Sequence, residues 1–412
     1  MELRAGYKQT EIGVFPEDWD VVDLGEKFKI KNGLNKAKEY FGYGTPIVNY
    51  MDVFNNSGIH KKDVEGKVFV NFQEKENYKI KKGDLLFTRT SETPNEIGMS
   101  SVVLEEIPEA VFSGFVLRAR EKDESFNNEY KKYCFRSNEV RKQIISSCSY
   151  TTRALTNGKS LSVVKIPLPP LPEQTAIATV LSDTDKLLQA IEKKIAKKRL
   201  IKQGAMQELL RPKEGSWERV ILNNVIDVNR GGSPRPIHDY ITSSPDGINW
   251  IKIGDTSRIS KYITGSKEKI IQEGVQNSRQ VKVGDFLLSN SMSFGRPYIL
   301  KIDGCIHDGW LVLQNYEENF NREFLYYTLM SKDIFNQYMA KASGSGVLNL
   351  NKELVKTVEL NKPKDMVEQI RIATILSDMD NEIEILENQL AKYTQVKQGL
   401  MQNLLTGKIR LV

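Results

Sequence analysis

The chain has 412 residues, 40% of them hydrophobic and 27% charged, with a net charge of +6. At about 150 residues per domain that length predicts two or three domains, and the composition is that of a globular chain, not a disordered one. No apolar run approaches the roughly 18 residues of a membrane-spanning helix. Three unevenly spaced cysteines (Cys134, Cys148, Cys305) exclude a disulfide framework and a Cys-x-x-Cys zinc site.

The start, Met1-Glu2-Leu3-Arg4-Ala5-Gly6, lacks an apolar signal stretch, so a cytoplasmic protein away from membranes is expected. Short strand-like runs follow between Gly/Asn/Ser-rich turns: Lys67–Val70, Ser101–Leu104 and Phe115–Leu117. A helical stretch is predicted near 127–146. The connector Ile166-Pro167-Leu168-Pro169-Pro170-Leu171-Pro172 should be extended and stiff, and a long proline-free helix comes after it. The order then repeats, with strands at Trp250–Ile253, Tyr298–Leu300 and Trp310–Leu313, a helix near 321–341, and a second long helix. Strands first and helix last in each half predict an α+β fold.

The repeat is visible residue by residue. Glu173-Gln174-Thr175-Ala176-Ile177 begins a segment that recurs from Glu368-Gln369-Ile370-Arg371-Ile372, and 19 of 38 positions between 173–210 and 368–405 are identical without a gap. Fainter echoes join Gly83-Asp84-Leu85-Leu86 to Gly284-Asp285-Phe286-Leu287, and Phe126-Asn127-Asn128-Glu129-Tyr130 to Phe320-Asn321-Arg322-Glu323-Phe324. A period of this length is too long for a solenoid, so the chain is a duplicated domain pair. The divisions expected are a globular domain at 1–170, a helix at 171–212, a second globular domain at 213–363 and a second helix at 364–412.

Apolar residues recur in steps of four and three along both helices, the seam of a coiled coil. The interface residues predicted are Ile177, Leu181, Leu188, Ile191, Ile195 and Leu209 in the first helix, and Ile372, Leu376, Ile383, Leu386, Leu390 and Leu404 in the second. The alternative is a stripe that only packs on its own globular unit. Ser182-x-x-Asp185 and Ser377-x-x-Asp380 resemble capping boxes, so a break or bend is expected in each helix there. The second globular unit begins where the first helix ends and finishes where the second begins, so a compact unit requires antiparallel helices. The expected form is a caliper, with a rod about 57 Å long between two globular ends.

Catalytic apparatus is not found. Gly158-Lys159-Ser160 ends like a P-loop, but Arg153 stands where its first glycine belongs. No methyltransferase Asn-Pro-Pro-Tyr tetrad occurs. None of His60, His238 and His307 has the partner spacing of a zinc helix, so no metal site is expected. His307-Asp308 reads as a strand-end hydrogen-bonding pair before an acid–base pair.

Binding remains. After each Gly-Asp-apolar strand comes a polar loop, with Thr88, Arg89, Thr90 and Ser91 in one half and Ser289, Asn290, Ser291, Ser293 and Arg296 in the other. Such side chains read base edges and grip phosphates, although a solvated loop has the same composition. Asn35, Lys36, Thr152 and Arg153, with Ser233 and Arg235 of the segment Gly231-Gly232-Ser233-Pro234-Arg235, are further candidates. So is the glycine-rich Ser343-Gly344-Ser345-Gly346. The basic run Lys193-Lys194, Lys197-Lys198-Arg199 and Lys202 either faces phosphates or lies on a solvated or partner-facing helix face.

The arrangement resembles the specificity (S) subunit of a type I restriction–modification system. The resemblance is carried by the proline-rich connector leading through Glu173-Gln174 into a long helix. It is also carried by Lys31-Asn32-Gly33-Leu34, Gly44-Thr45-Pro46-Ile47, Gly231-Gly232-Ser233-Pro234, Ile248-Asn249-Trp250-Ile251 and Gly284-Asp285-Phe286-Leu287. It spans essentially the whole chain. The second connector, Leu360-Asn361-Lys362-Pro363-Lys364-Asp365, departs from the pattern in lacking the proline run, so a looser seat for the second unit is expected. The resemblance implies two target-recognition domains reading a bipartite double-stranded DNA target, separated by the antiparallel helices. It implies docking of two methyltransferase (M) subunits, and of restriction (R) subunits in the nuclease complex. It implies no catalysis and no cofactor on this chain, with S-adenosylmethionine, ATP and magnesium held by the partners. The alternative reading is a coiled-coil adaptor whose two ends bind proteins.

Overall fold

In the computed structural model, which describes residues 5–257, 260–290, 294–342 and 350–411, the chain forms two compact units. The first comprises Met1–Glu192 with Asn388–Val412, and the second Lys193–Glu387. Each unit therefore contains one globular domain, the first half of the long helix that follows it, and the second half of the other.

At the centre of the first unit is a five-stranded sheet in the order Phe28–Asn32, Val116–Glu121, Leu85–Thr88, Ser100–Val103, Gly58–Ile59. The second unit repeats it as Asp227–Arg230, Trp310–Gln314, Phe286–Ser289, Pro297–Leu300, Tyr262–Ile263. Both faces of each sheet are covered. Leu85 and Phe87 enter one apolar cluster while Leu86 enters another, and Phe286 and Leu288 are likewise separated from Leu287. Burial on both faces is why these strands read as unbroken apolar runs, not as alternating ones.

A smaller sheet lies over one face of each main sheet. In the first unit Val111–Phe112 pairs in parallel with the end of Phe41–Val48, and in the second Gly304–Ile306 pairs in parallel with Ile248–Ile251. Each expected helical stretch is two helices, Asn128–Cys134 with Asn138–Ser146, and Arg322–Leu329 with Lys332–Ala342. The breaks are capped, in the first case by the Ser137 hydroxyl on the Val140 amide.

The long helices run unbroken over Leu171–Leu209 and Met366–Leu404. This corrects the expected break at Ser182 and Ser377. Those residues are not caps, because the Tyr133 hydroxyl donates to Asp185 at 2.7 Å and lies 3.1 Å from the Ser182 hydroxyl. Tyr327 makes the same two contacts with Asp380, at 2.7 Å, and Ser377, at 3.2 Å. A lysine from the opposite helix completes each node: Lys397 lies 2.5 Å from Asp185, and Lys202 pairs with Asp380. Lys202 and Lys397 occupy seam positions, where one buried polar contact sets register at some cost in stability.

Antiparallel pairing is explicit inside each unit. In the second, Lys198 meets Glu382, Lys202 meets Asp380, and Met206 and Leu209 pack in the cluster of Ile372 and Leu376. In the first, Asp185 meets Lys397, and Ile177 and Leu181 share a cluster with Leu404 and Leu405. Ile191, Ile195, Ile383 and Leu386 are buried, while Leu188 and Leu390 are half-buried.

The repeated Gln174 and Gln369 seat each domain on its helix. The Gln174 amide donates to the carbonyls of Ser125 and Pro169, both at 2.9 Å, and accepts from the Asn127 amide at 2.8 Å. Gln369 does the same with Asn319, Pro363 and Asn321. Both amide hydrogens and the carbonyl oxygen of each buried carboxamide are thereby engaged. The second seat is not looser, contrary to expectation. Glu359–Pro363 pairs with Trp217–Ile221 at five positions, against four between Lys165–Leu168 and Asp20–Asp23. Strand pairing and the glutamine hold the connector, so proline stiffness is dispensable.

Candidate nucleic-acid interface

In each unit three segments distant in sequence meet beside the central strand. In the first, the Gly33 amide bonds to the Val116 carbonyl, and the Arg89 amide to the Phe115 carbonyl at 2.9 Å. In the second, Gly231 bonds to Trp310, and Asn290 to Gly309 at 3.1 Å. The turn Ser113-Gly114-Phe115 thus corresponds to His307-Asp308-Gly309, Arg89 to Asn290, and Gly33 to Gly231. Even the side chains agree, since Arg89 Nη1 reaches the Gly114 carbonyl and Asn290 Nδ2 the Asp308 carbonyl, both at 3.4 Å. Glycine is required where the first strand crosses this turn. A Cβ on Gly33 would stand 1.9 Å from the Ser113 carbonyl oxygen, and one on Gly231 2.1 Å from that of His307.

A fourth segment joins the first site. Thr90–Ser91 pairs with Ala154–Leu155, which pairs with Ser149–Tyr150, so the exposed tip holding Thr151, Thr152 and Arg153 stands beside Arg89. The Thr156 amide closes this arrangement onto the Arg89 carbonyl at 3.0 Å, as the Leu350 amide does onto Asn290 at 2.8 Å. Buried Arg141 braces the loop from behind, donating to the carbonyls of Ile97 at 2.6 Å and Asn95 at 2.9 Å. Burial lowers its pKa below the ordinary arginine value. The first site therefore presents Asn35, Arg89, Thr90, Thr152 and Arg153, with Phe115 and Tyr150 as exposed aromatics.

The second site presents Arg230, Arg235 and Arg279 around Asp308. Arg230 Nε donates to the Asp308 carbonyl at 3.1 Å, and Arg279 Nε to the Arg230 carbonyl at 3.4 Å. Ser233 donates to the Asp308 carboxylate at 3.1 Å, and His307 Nε2 lies 3.0 Å from the same oxygen. His307 Nδ1 accepts the Gly309 amide at 2.9 Å, the strand-end role read from its position.

The sequence model of the type I restriction modification DNA specificity domain matches this chain twice, over residues 16–199 and 214–395. The chain is a member of the type I restriction–modification specificity-subunit family. The S subunit is 26% identical over 431 residues to the type I restriction enzyme MjaVIII specificity subunit of Methanocaldococcus jannaschii, covering 96% of this chain and 94% of the relative. Its fold is similar to the type I system S subunit from M. genitalium, with a TM-score of 0.56, 14% identity, and 98% of each chain covered. A chain solved in work on assembly and conformational transition of the type I system matches with a TM-score of 0.64 at 17% identity, covering 96% of this chain and 99% of that one.

The other candidates of this S subunit are placed as follows. Thr88, Ser91 and Ser289 are buried, and Thr88 accepts the Met99 amide at 2.9 Å. Lys36 is turned to Glu74 at 2.8 Å and lies over the Tyr40 ring, away from the polar cluster. Arg296, at the far end of its loop, reaches the Ser260 carbonyl and the Tyr298 ring. Ser291, Ser293 and the segment 343–346 lie outside the described residues. Lys198, Arg199 and Lys202 pair with Glu382, Glu387 and Asp380, while Lys193, Lys194 and Lys197 are exposed. Sequence reasoning missed Phe115, Arg230 and Asp308 as members of these sites. Their turns share no motif, and only the strand pairing aligns them.

Proposed function

We propose that this S subunit reads a bipartite double-stranded DNA target, one half-site through each unit. The observation that carries the reading is the convergence, at the same place in both units, of exposed and half-buried polar side chains, arginines in both, on a rigid strand-and-turn frame. Base edges are read by such groups, while arginines grip phosphates. The two sites share a frame and differ in every presented side chain, which is what independent half-site sequences require. The long helices supply surfaces for two M subunits and for R subunits, and Lys193, Lys194 and Lys197 are available there to a partner or to phosphates. In this reading the subunit acts in the cytoplasm without catalysing anything. S-adenosylmethionine, ATP and magnesium belong to the partners.

The test is to express the S subunit with its M subunits in a host lacking adenine methylation and to sequence the modified sites. A bipartite motif is expected. Purified S subunit alone should leave DNA unmethylated and uncut, and methylation by a partner-free preparation would overturn the assignment of catalysis to the partners. DNA binding by the complex should weaken steeply and linearly in log salt. Binding independent of salt and sequence would favour the adaptor reading.

A further inference from the structure

We infer that Asp308 is a specificity-determining residue of the second unit, whose carboxylate accepts the exocyclic amine of a cytosine or an adenine in one half-site. The inference rests on the DNA reading above and deepens it. Asp308 stands at the turn that leads into the strand Trp310–Gln314, at the place held by Gly114 in the first unit. The two turns differ in what they present. The first offers the Phe115 ring, 62% exposed, and no ionisable group, whereas the second offers a carboxylate whose side chain is 32% exposed.

A carboxylate is out of place on a surface meant for phosphates unless it meets a donor. Three exposed arginines, Arg230, Arg235 and Arg279, gather around it and keep the site electropositive. Its first oxygen is engaged by Ser233 and His307, and its second, among the described residues, by Arg235 alone, at 3.5 Å. An ionised carboxylate has about four lone-pair sites, so acceptor capacity is left over toward solvent. On the major-groove edge the donors are the N4 amine of cytosine and the N6 amine of adenine, and an acceptor-only group discriminates for them. Ser233 bonds both the Asp308 carboxylate and its backbone amide, the latter at 3.3 Å, so the acceptor is held in one orientation.

The experiment compares methylated-site motifs for the complete S–M complex carrying wild type, Asp308→Ala and Asp308→Asn. The carboxamide is close in shape and keeps an acceptor for Ser233, so it guards against a folding defect. Asp308→Ala is expected to relax one base position of one half-site by roughly 5- to 150-fold in discrimination, and Asp308→Asn to do the same where the base is cytosine, since a carboxamide can itself pair with adenine. The other half-site should stay unchanged. The base lost identifies the amine as cytosine or adenine. An unaltered motif in both variants overturns the inference. So does a uniform loss of methylation at all sites, which would make Asp308 a brace for Arg235 and Ser233. If wild type directs no bipartite methylation, the DNA reading itself fails, and the assignment falls with it.

Discussion

Tyr133→Phe isolates the bond that ties the first globular domain to its helix pair. The hydroxyl donates to Asp185 at 2.7 Å, and Asp185 is also 2.5 Å from Lys397. Tyr133 is buried, and burial raises its pKa well above the ordinary phenol value, so it remains a donor at any working pH. A hydrogen bond to a charged acceptor contributes about 1.5–3 kcal/mol. Asp185 keeps Lys397 and is 21% exposed, which places the loss near the lower end, about 1.5 kcal/mol. For a unit of roughly 200 residues that lowers Tm by about 3–6 °C. Calorimetry on Tyr133→Phe, Asp185→Ala and the double variant should give a coupling of about 1 kcal/mol. The control pair is Tyr133→Phe with Asp123→Ala, whose carboxylate pairs with Lys27 instead, and it should be additive. Tyr327→Phe should lose a similar amount in the second unit, where Lys202 and Asp380 repeat the node. A Tyr133–Asp185 coupling no larger than the control's would refute the node as an energetic link.

Gly33→Ala and Gly231→Ala should each cost about 2 kcal/mol or more in urea unfolding, because a Cβ would meet a backbone carbonyl at 1.9 and 2.1 Å. Gly204→Ala and Gly399→Ala, on open faces of the long helices, should instead stabilise by up to about 1 kcal/mol. Arg410→Ala should cost about 2–4 kcal/mol, because it removes the bonds at 2.7 and 2.9 Å to the Glu173 carboxylate, whose side chain is 1% exposed. Lys213→Ala, which loses only a looser 3.4 Å pair with Glu368, should change unfolding by less than about 0.5 kcal/mol. Arg89→Ala should reduce discrimination at one half-site by roughly 1–3 kcal/mol, and Asn290→Ala, whose buried side chain holds the Asp308 carbonyl, should alter the other by displacing that turn, both read as altered methylated motifs. Motifs unchanged in both would return these loops to the solvated state that their composition also permits.

The duplication, the two helices and their seam were legible in the sequence because helical order is local. Apolar residues every three or four positions declare a helix face wherever it packs, and 19 of 38 identities declare the repeat. The strands of the main sheets were legible as apolar runs for the same reason, being buried on both faces, whereas Lys67–Val70 holds only a two-residue strand with Lys67 and Phe69 exposed. What Ser182 and Asp185 do was not legible. A Ser-x-x-Asp spacing reads as a cap, and only Tyr133, about fifty residues away in sequence, turns it into an acceptor site inside a continuous helix. The candidate sites divide in the same way. Arg89 could be picked out by composition, but Thr88, Ser289 and Asn290, polar neighbours in the same loops, are closed off from solvent, and the Asn290 side chain is spent on the Asp308 carbonyl. Phe115 carries no signature, and Asp308 stands out only as the neighbour of His307, not as a site residue. They enter their sites because the Gly33 and Gly231 strands pass close enough to the turns to exclude a Cβ, and nonlocal pairing of that kind has no periodicity to announce it.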